Sequence, residues 1–393
     1  MFKKGFHALY KKSCWRLGVL FLSLFSTFAV FSEGESGDIK VGAIRWDAWN
    51  EWGHFQQFLN PEPWHYRLPF FANKEKLGKE PFREDVPEVI DQEIDLAVRS
   101  GIDFWAFVWY HPEGWDKARL MMRCFDIYLA NPKSNNLSFC LILQGGHLGD
   151  TGQWDKTVAF LTGLFGDSRY QKVLGTRPLV FLFSIEDAIQ RFGGEAEFRR
   201  ALNVLREKSK ASSCKADPYI AGMVFEPQKG ARFVSVLGLD AVSAYSNPPY
   251  GFKRQEFPYS KQVEINRVFW EECQKLQVPL IPTVNTGWDF RPEANPDISY
   301  RNPDADWVTT AKPQEIADHL KGAVAWVKEN PQTCEAKAII IYAWNEFNEG
   351  GWLVPTLSEG AARLEAIREV LRPKQLNKVD KVGSGLVPHQ QER

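Results

Sequence analysis

Spacings that hold metals or dinucleotides are missing from this sequence. Six cysteines in 393 residues stand far apart, and none forms the paired short interval of a zinc site. The seven histidines include no H-x-H or H-E-x-x-H pair, so His54, His111 and His147 are expected to act as hydrogen-bonding loop residues and no metal is called for. No G-x-S-x-G elbow accompanies them, which removes the acyl-transfer hydrolases. Gly145-Gly146 lacks the G-x-G-x-x-G spacing of a dinucleotide turn, so no cofactor is expected. Charge of one sign is missing too: 48 basic and 49 acidic residues give a net charge of -1. No basic patch follows the first sixteen residues, and nucleic acid is set aside as a partner. What is present is globular, with 44% hydrophobic and 25% charged residues, enough to bury a sizeable core.

Lys3, Lys4, Lys11, Lys12 and Arg16 precede an apolar run at 17–31, and Ser32-Glu33-Gly34 follows it. Basic, apolar and small residues in that order make residues 1–32 a secretory signal peptide, with Val30 and Ser32 marking a cut after Ser32. The run falls short of the roughly 20 apolar residues of a membrane span, so no stable insertion is expected after cleavage and the address is secreted or periplasmic. Cys14 precedes the run and is no lipid-attachment site. The five cysteines that remain are an odd set, which argues against a disulfide framework. Residues 374–393 are polar, with Gly383 and Gly385, and are expected to fray.

Between these ends, short aliphatic runs alternate with longer amphipathic stretches. Strands are expected at 39–44, 102–109, 137–143, 179–183, 220–225, 241–245, 280–284 and 338–342. Helices are expected near 87–99, 117–129, 154–165, 195–209, 231–237, 260–276, 313–328 and 360–371. Eight such units in order predict a single-domain (β/α)8 TIM barrel over residues 38–373, with a long loop after strand one. An open doubly wound sheet is the competing topology, and it lacks its glycine-rich phosphate turn here.

In a barrel, the C-terminal strand ends form one face that carries the chemistry. Those ends supply Trp46, Asp47, Trp109, Tyr110, Tyr245, Asn285, Trp288, Asp289, Arg291, Trp344, Asn345 and Trp352, with Glu346 and Glu349 after strand eight. Aromatic faces cover the C–H patches of a sugar, while amides and carboxylates take its hydroxyls in defined directions, so a carbohydrate substrate is expected. Trp46, Trp288 and Trp352 are the expected stacking platforms. A phosphate ligand would call for more than Arg45 and Arg291 at these ends. The bland alternative makes the tryptophans plugs of the barrel mouth, and the two glutamates solvated charges on a helix cap. A carboxylate pair is the equipment of glycoside hydrolysis. Side chains at i and i+3 of a turn lie roughly 5–6 Å apart at Cβ, close enough that one carboxyl should be ionised and the other protonated near neutrality.

Trp344-Asn345-Glu346-Phe347-Asn348-Glu349-Gly350 resembles the W-N-E-x-x-E-G motif of glycoside hydrolase family 99 and its larger family-99-like group. His65-Tyr66-Arg67-Leu68-Pro69-Phe70-Phe71, Glu93-Ile94-Asp95-Leu96-Ala97, Gly101-Ile102-Asp103-Phe104-Trp105-Ala106-Phe107 and Gly287-Trp288-Asp289-Phe290-Arg291-Pro292 agree with the same group, so the resemblance spans about 41–356. It implies a (β/α)8 fold and a retaining, metal-free, endo-α-mannosidase type of chemistry. By position, Glu346 takes the role of base on the substrate's own 2-hydroxyl, giving an anhydrosugar, and Glu349 that of general acid and base. Two departures stand out: Asn348 replaces the usual histidine, which bears on mannoside specificity, and Val354 replaces an acidic residue at the rim. Relatives of this kind include polysaccharide-biosynthesis transferases, so reaction direction stays open. Two rivals also stay open. One splits the catalytic pair between Glu186 or Glu226 and Asp289, and the other is a glycan-binding barrel without catalysis.

Overall fold

In the computed structural model, the described residues are 39–249, 251–294 and 304–373. The expected signal peptide and C-terminal tail lie outside them. Eight parallel strands form the wall: β1 Lys40–Arg45, β2 Phe104–Trp109, β3 Ser138–Gln144, β4 Arg177–Phe183, β5 Tyr219–Met223, β6 Ala241–Ser243, β7 Thr283–Asn285 and β8 Ala338–Tyr342. They are hydrogen-bonded in the order β6-β5-β4-β3-β2-β1-β8-β7, and a parallel bridge between Val242 and Leu280 closes the ring. The (β/α)8 barrel expected from the sequence is the fold.

Pro282 faces β8, where its carbonyl accepts from the Ile340 N–H, and it has no N–H to give that ladder, so β7 begins only at Thr283. The closing seam between β6 and β7 is short. Side chains take over there: Ser243 Oγ donates to the Ile281 carbonyl at 2.9 Å, and Thr283 Oγ1 donates to the Ala244 carbonyl at 2.6 Å.

The wall is buried on both faces, which is why its strands are nearly continuous apolar runs. In β2 every residue of Phe104–Trp109 is buried. Alternate side chains go to opposite faces: Phe104 lies over Gly42 of β1 inside the ring, while Phe107 packs on Phe125 of the helix layer, ring centroids 5.0 Å apart.

That layer consists of α1 Pro87–Ser100, α2 Arg123–Ala130, α3 Trp154–Phe165, α4 Glu195–Ala211, α5 Pro227–Leu237, α6 Tyr259–Lys275, α7 Pro313–Glu329 and α8 Ala362–Leu371. Helix α1 has proline at its first position and a left-handed Gly101 (φ 91°) just past its end, the residues each position favours. A short additional helix, Ile185–Arg191, follows β4. Residues 46–86 form the long loop after β1 and hold three 3-10 turns, Gln56–Leu59, Glu62–Arg67 and Lys74–Lys76.

Candidate active site

Strand β8 ends at Tyr342, and the chain then folds back on itself in a tight hairpin, Asn345 and Glu346 pairing with Trp352 and Gly351. This hairpin carries both motif glutamates, and it is gripped from two sides. From the loop after β7, Gly287 comes so close to the Gly350 carbonyl that a Cβ on Gly287 would overlap it, and Gly350 itself has φ 84°. From the long loop after β1, Arg67 reaches in fully buried. Its Nη1 donates to the carbonyls of Asp289, Phe347 and Asn348 at 3.0, 3.2 and 3.3 Å, and its Nη2 pairs with the Asp289 carboxylate. The peptide between the two glutamates is therefore held by one guanidinium.

Glu346 and Glu349 both line a cleft of about 220 Å³ at the barrel mouth. Each carboxylate is held by a buried phenol. Tyr245, just beyond β6, donates to Glu346 Oε1 at 2.5 Å, and Tyr342 donates to Glu349 Oε2 at 2.5 Å. Burial first, and the neighbouring carboxylates second, push both phenols well above their ordinary pKa. They keep their protons and act as donors. Trp46 and Tyr110 form one wall of the cleft, joined by a 2.9 Å bond from the indole Nε1 to the phenol oxygen. Trp288 forms another, its ring 5.7 Å from that of Tyr342. Gln144, Phe183, Phe225 and Ser246 complete the polar and aromatic lining, along with Val108. Among the described residues that line it, none is Lys or Arg.

Of the residues expected to bind substrate, Trp46, Tyr110, Tyr245 and Trp288 meet the two glutamates in this cleft. The others sit elsewhere, and their contacts say why. Trp109 is one residue out of phase with Val108 and Tyr110, so it turns to the helix layer and stacks on Phe160 at 5.5 Å. Trp344 is buried against Trp105 at 5.1 Å. Trp352, expected as a platform, lies inside the molecule with the Arg363 guanidinium 3.8 Å from its ring centroid and is a packing residue. Asn285 is fully buried behind β7, where Asn266 of α6 donates to its Oδ1 at 3.1 Å.

Asp289 spends its carboxylate on Arg67 and Arg291. Burial alone would raise its pKa, but the two guanidinium groups overcome that and hold it below the ordinary range. An Asp289 fixed in this way is poorly disposed as a nucleophile, which weakens the split-pair rival. Glu186 and Glu226, the alternatives for the other half of that rival, line a separate cleft, and Glu186 pairs with Lys229. Arg291 also lies over Trp307 at 4.4 Å, away from the cleft lining.

Asp47 and Asn345 belong to a polar network behind the cleft, centred on Arg45. Its guanidinium meets Asp47 at 2.8 Å, Glu84 at 3.2 Å and Glu93 at 2.7 Å, all buried. Asn345 donates to Glu84 at 2.9 Å and accepts from the Trp46 backbone N–H at 2.8 Å. The network thus connects the long loop and α1 to the residue beside Glu346. Burial raises Asp47 to about 6, against the pull of Arg45, and raises Glu84 as well. Asp47, Glu84 and Cys124 also bring three metal-ligating atoms within 4.8 Å of one another. Arg45 already supplies the positive charge at both carboxylates.

Asn348, which replaces the usual histidine, is buried and donates to Glu293. It does not line the cleft, and its identity acts on the packing of this loop.

A family model described as glycosyltransferase WbsX matches residues 141–367. Among solved structures, a glycoside hydrolase-like protein is similar with a TM-score of 0.58 and 16% identity, over 84% of this chain and 93% of that one. The GH99 endo-alpha-mannosidase from Bacteroides thetaiotaomicron, in complex with Bis-Tris-propane, follows with a TM-score of 0.55 and 12% identity, over 88% and 99%. Without that ligand, the same enzyme gives a TM-score of 0.53. At such identities the likeness is one of fold. No curated protein matches the chain.

Proposed function

This chain belongs to the glycosyltransferase WbsX family, and from that premise we propose that it acts on a neutral glycan as a retaining glycosidase, with an α-mannoside as the first substrate to test. One observation carries the reading: two carboxylates, each fixed by a buried phenol, face an aromatic cleft whose described lining holds no cation. A donor bearing a diphosphate needs Arg, Lys or a backbone nest beside it. A neutral sugar needs ring faces and acids, which this cleft has.

In the reaction that the motif implies, Glu346 takes the proton of the 2-hydroxyl as O2 attacks C1, and Glu349 protonates the departing oxygen. Glu349 then takes a proton from water, which opens the 1,2-anhydrosugar at C1, while Glu346 returns its proton to O2. Two inversions give net retention. Tyr245 and Tyr342 orient the carboxylates without giving up their protons.

The family's description favours a second reading, in which the group that departs at the first step is a nucleoside diphosphate and an acceptor hydroxyl takes the place of water at the second. Incubation with α-mannan and with nucleotide sugars separates them. Release of oligosaccharide from mannan is the expected result, whereas consumption of a nucleotide sugar with every neutral polysaccharide left intact would sink the glycosidase. Export through cleavage after Ser32 is part of the proposal, on the basic, apolar and small-residue order of residues 1–32. Sequencing the N-terminus of mature protein tests it, and an intact Met1 in a membrane fraction would contradict it.

A further inference from the structure

Phe183 and Phe225 line the catalytic cleft on one side and a second cleft of about 200 Å³ on the other. An aromatic path connects the two. Tyr245, whose phenol holds Glu346, stacks on Phe183 with centroids 4.6 Å apart, and Phe183 meets Phe225 edge to face at 6.3 Å. Phe225 remains 46% exposed at the mouth, a large apolar surface beside a polar site. The second cleft's rim is different in charge from a phosphate site. Glu186 and Asp187 open the short helix after β4, Glu226 precedes α5, and the one cation among its described lining residues, Lys229, pairs with Glu186. Asp187 and Glu226 therefore leave the rim with an excess of negative charge.

We propose that this second cleft is the subsite for the next sugar ring of a glycan, and that its carboxylate rim admits neutral or amine-bearing rings and rejects uronates and phosphorylated sugars. The inference rests on the glycosidase reading of the adjoining cleft. Phe225 offers a ring face to the C–H side of a sugar. The carboxylates accept hydroxyl or ammonium donors, and a second anion brought among them meets like charge at a partly dehydrated surface.

The test uses the full mature chain carrying Glu349→Gln, so that ligands bind without turnover. Calorimetric titrations compare monosaccharides with neutral trisaccharides of the manno, gluco and galacto series, with a glucosamine trimer and with trigalacturonate. A neutral trisaccharide should bind about tenfold more tightly than its monosaccharide, the scale of one ring-stacking contact, and trigalacturonate should show no such gain. Phe225→Ala should remove the gain, lowering trisaccharide affinity far more than monosaccharide affinity, with Phe225→Leu as the variant to use if the alanine form does not fold. The pair Glu186→Lys and Glu226→Lys should bring trigalacturonate up to the neutral trimer. A length gain that survives Phe225→Ala, or trigalacturonate bound by the native rim as tightly as the neutral trimer, overturns the subsite while the glycosidase reading stands. If no neutral saccharide of any length binds, the reading itself fails and the subsite falls with it.

Discussion

Tyr342 and Glu349, seven residues apart, are joined by a 2.5 Å hydrogen bond from the phenol to the carboxylate. Tyr245 makes the matching bond to Glu346 from the far side of the barrel seam. Two separate strands thus aim one carboxylate each, and the donors are protonated because burial and the carboxylates themselves disfavour phenolate. Hydrogen bonds to charged groups contribute about 1.5–3 kcal/mol. Tyr245→Phe and Tyr342→Phe should each lower kcat on a cleaved glycan about ten- to a hundredfold, with KM nearly unchanged and the melting temperature lowered by only a few degrees. Melting that collapses while kcat per folded molecule holds would make the phenols packing residues.

Arg67 is the clamp on the glutamate-bearing hairpin, bonded to three backbone carbonyls and to Asp289. Removing one partner of a buried pair strands the other, at a cost of about 3–5 kcal/mol. Arg67→Met should approach that cost in urea unfolding. Asp289 keeps Arg291 in the variant, so the lower end of the range is expected. Arg67→Lys retains the charge but not the fork that reaches several carbonyls at once, and should recover only part of the loss. Equal stability of all three proteins would show that the clamp does not hold the hairpin.

The barrel was legible because period and order are local signals: α3 and β8 fall where the hydrophobic pattern puts them, at Trp154–Phe165 and Ala338–Tyr342. The motif pointed to Glu346 and Glu349, and both line the cleft. Half-visible was the aromatic lining, since a strand end announces a residue but not its face. Trp109 and Tyr110 are neighbours in sequence and opposite in direction, a distinction the alternation within β2 carries. Trp344 and Trp352 mislead because a tryptophan near a site is also the best filler of the space behind it. Arg67 stood out only as part of the stretch 65–71 that agrees with the family group; its role left no signal, since its partners are mostly backbone carbonyls, which every sequence contains. Phe183 and Phe225 became site residues only when β4 and β5 were brought beside β6.

Two buried groups pull stability in opposite directions between about pH 4 and 6. Asp47 titrates near 6 in the fold, raised from 3.8 by burial, so over this interval the native state holds more of its proton than the unfolded chain. Its contribution is fully present below pH 3.8 and is lost as pH rises through 6. Glu84 shifts the same way. His319 is the reverse: burial lowers it from 6.5 to about 4, between Tyr259 and Asn266. Its contribution is full above 6.5 and is lost as pH falls through 4. Each group is worth on the order of 3 kcal/mol across its window. Urea midpoints taken from pH 4 to 7 should rise more steeply with pH in Asp47→Asn than in the native chain, and less steeply in His319→Gln, whose amide keeps a donor for the Tyr259 oxygen. Parallel profiles for all three would mean that neither group changes its proton affinity on folding.

Glu346 and Glu349 are proposed for different jobs, and different substrates expose them. Glu349→Gln removes the proton donor. A substrate with a poor leaving group, such as a natural glycan, should then lose turnover by about 10²–10⁴, the usual contribution of general acid catalysis, while a glycosyl fluoride departs with little protonation and should lose far less. Glu346→Gln removes the base that turns the 2-hydroxyl into a nucleophile, so both kinds of substrate should slow together, and a 2-deoxy substrate should not turn over even in the native enzyme. Binding should persist in each variant, because the aromatic walls at Trp46, Tyr110 and Trp288 remain. NMR of the first product should report the α-anomer from an α-glycan, since two displacements at C1 restore configuration. An inverted product, or a 2-deoxy substrate cleaved at the normal rate, would remove the internal nucleophile and with it the role given to Glu346; wild-type rates in both variants would leave a barrel that binds glycans without cutting them.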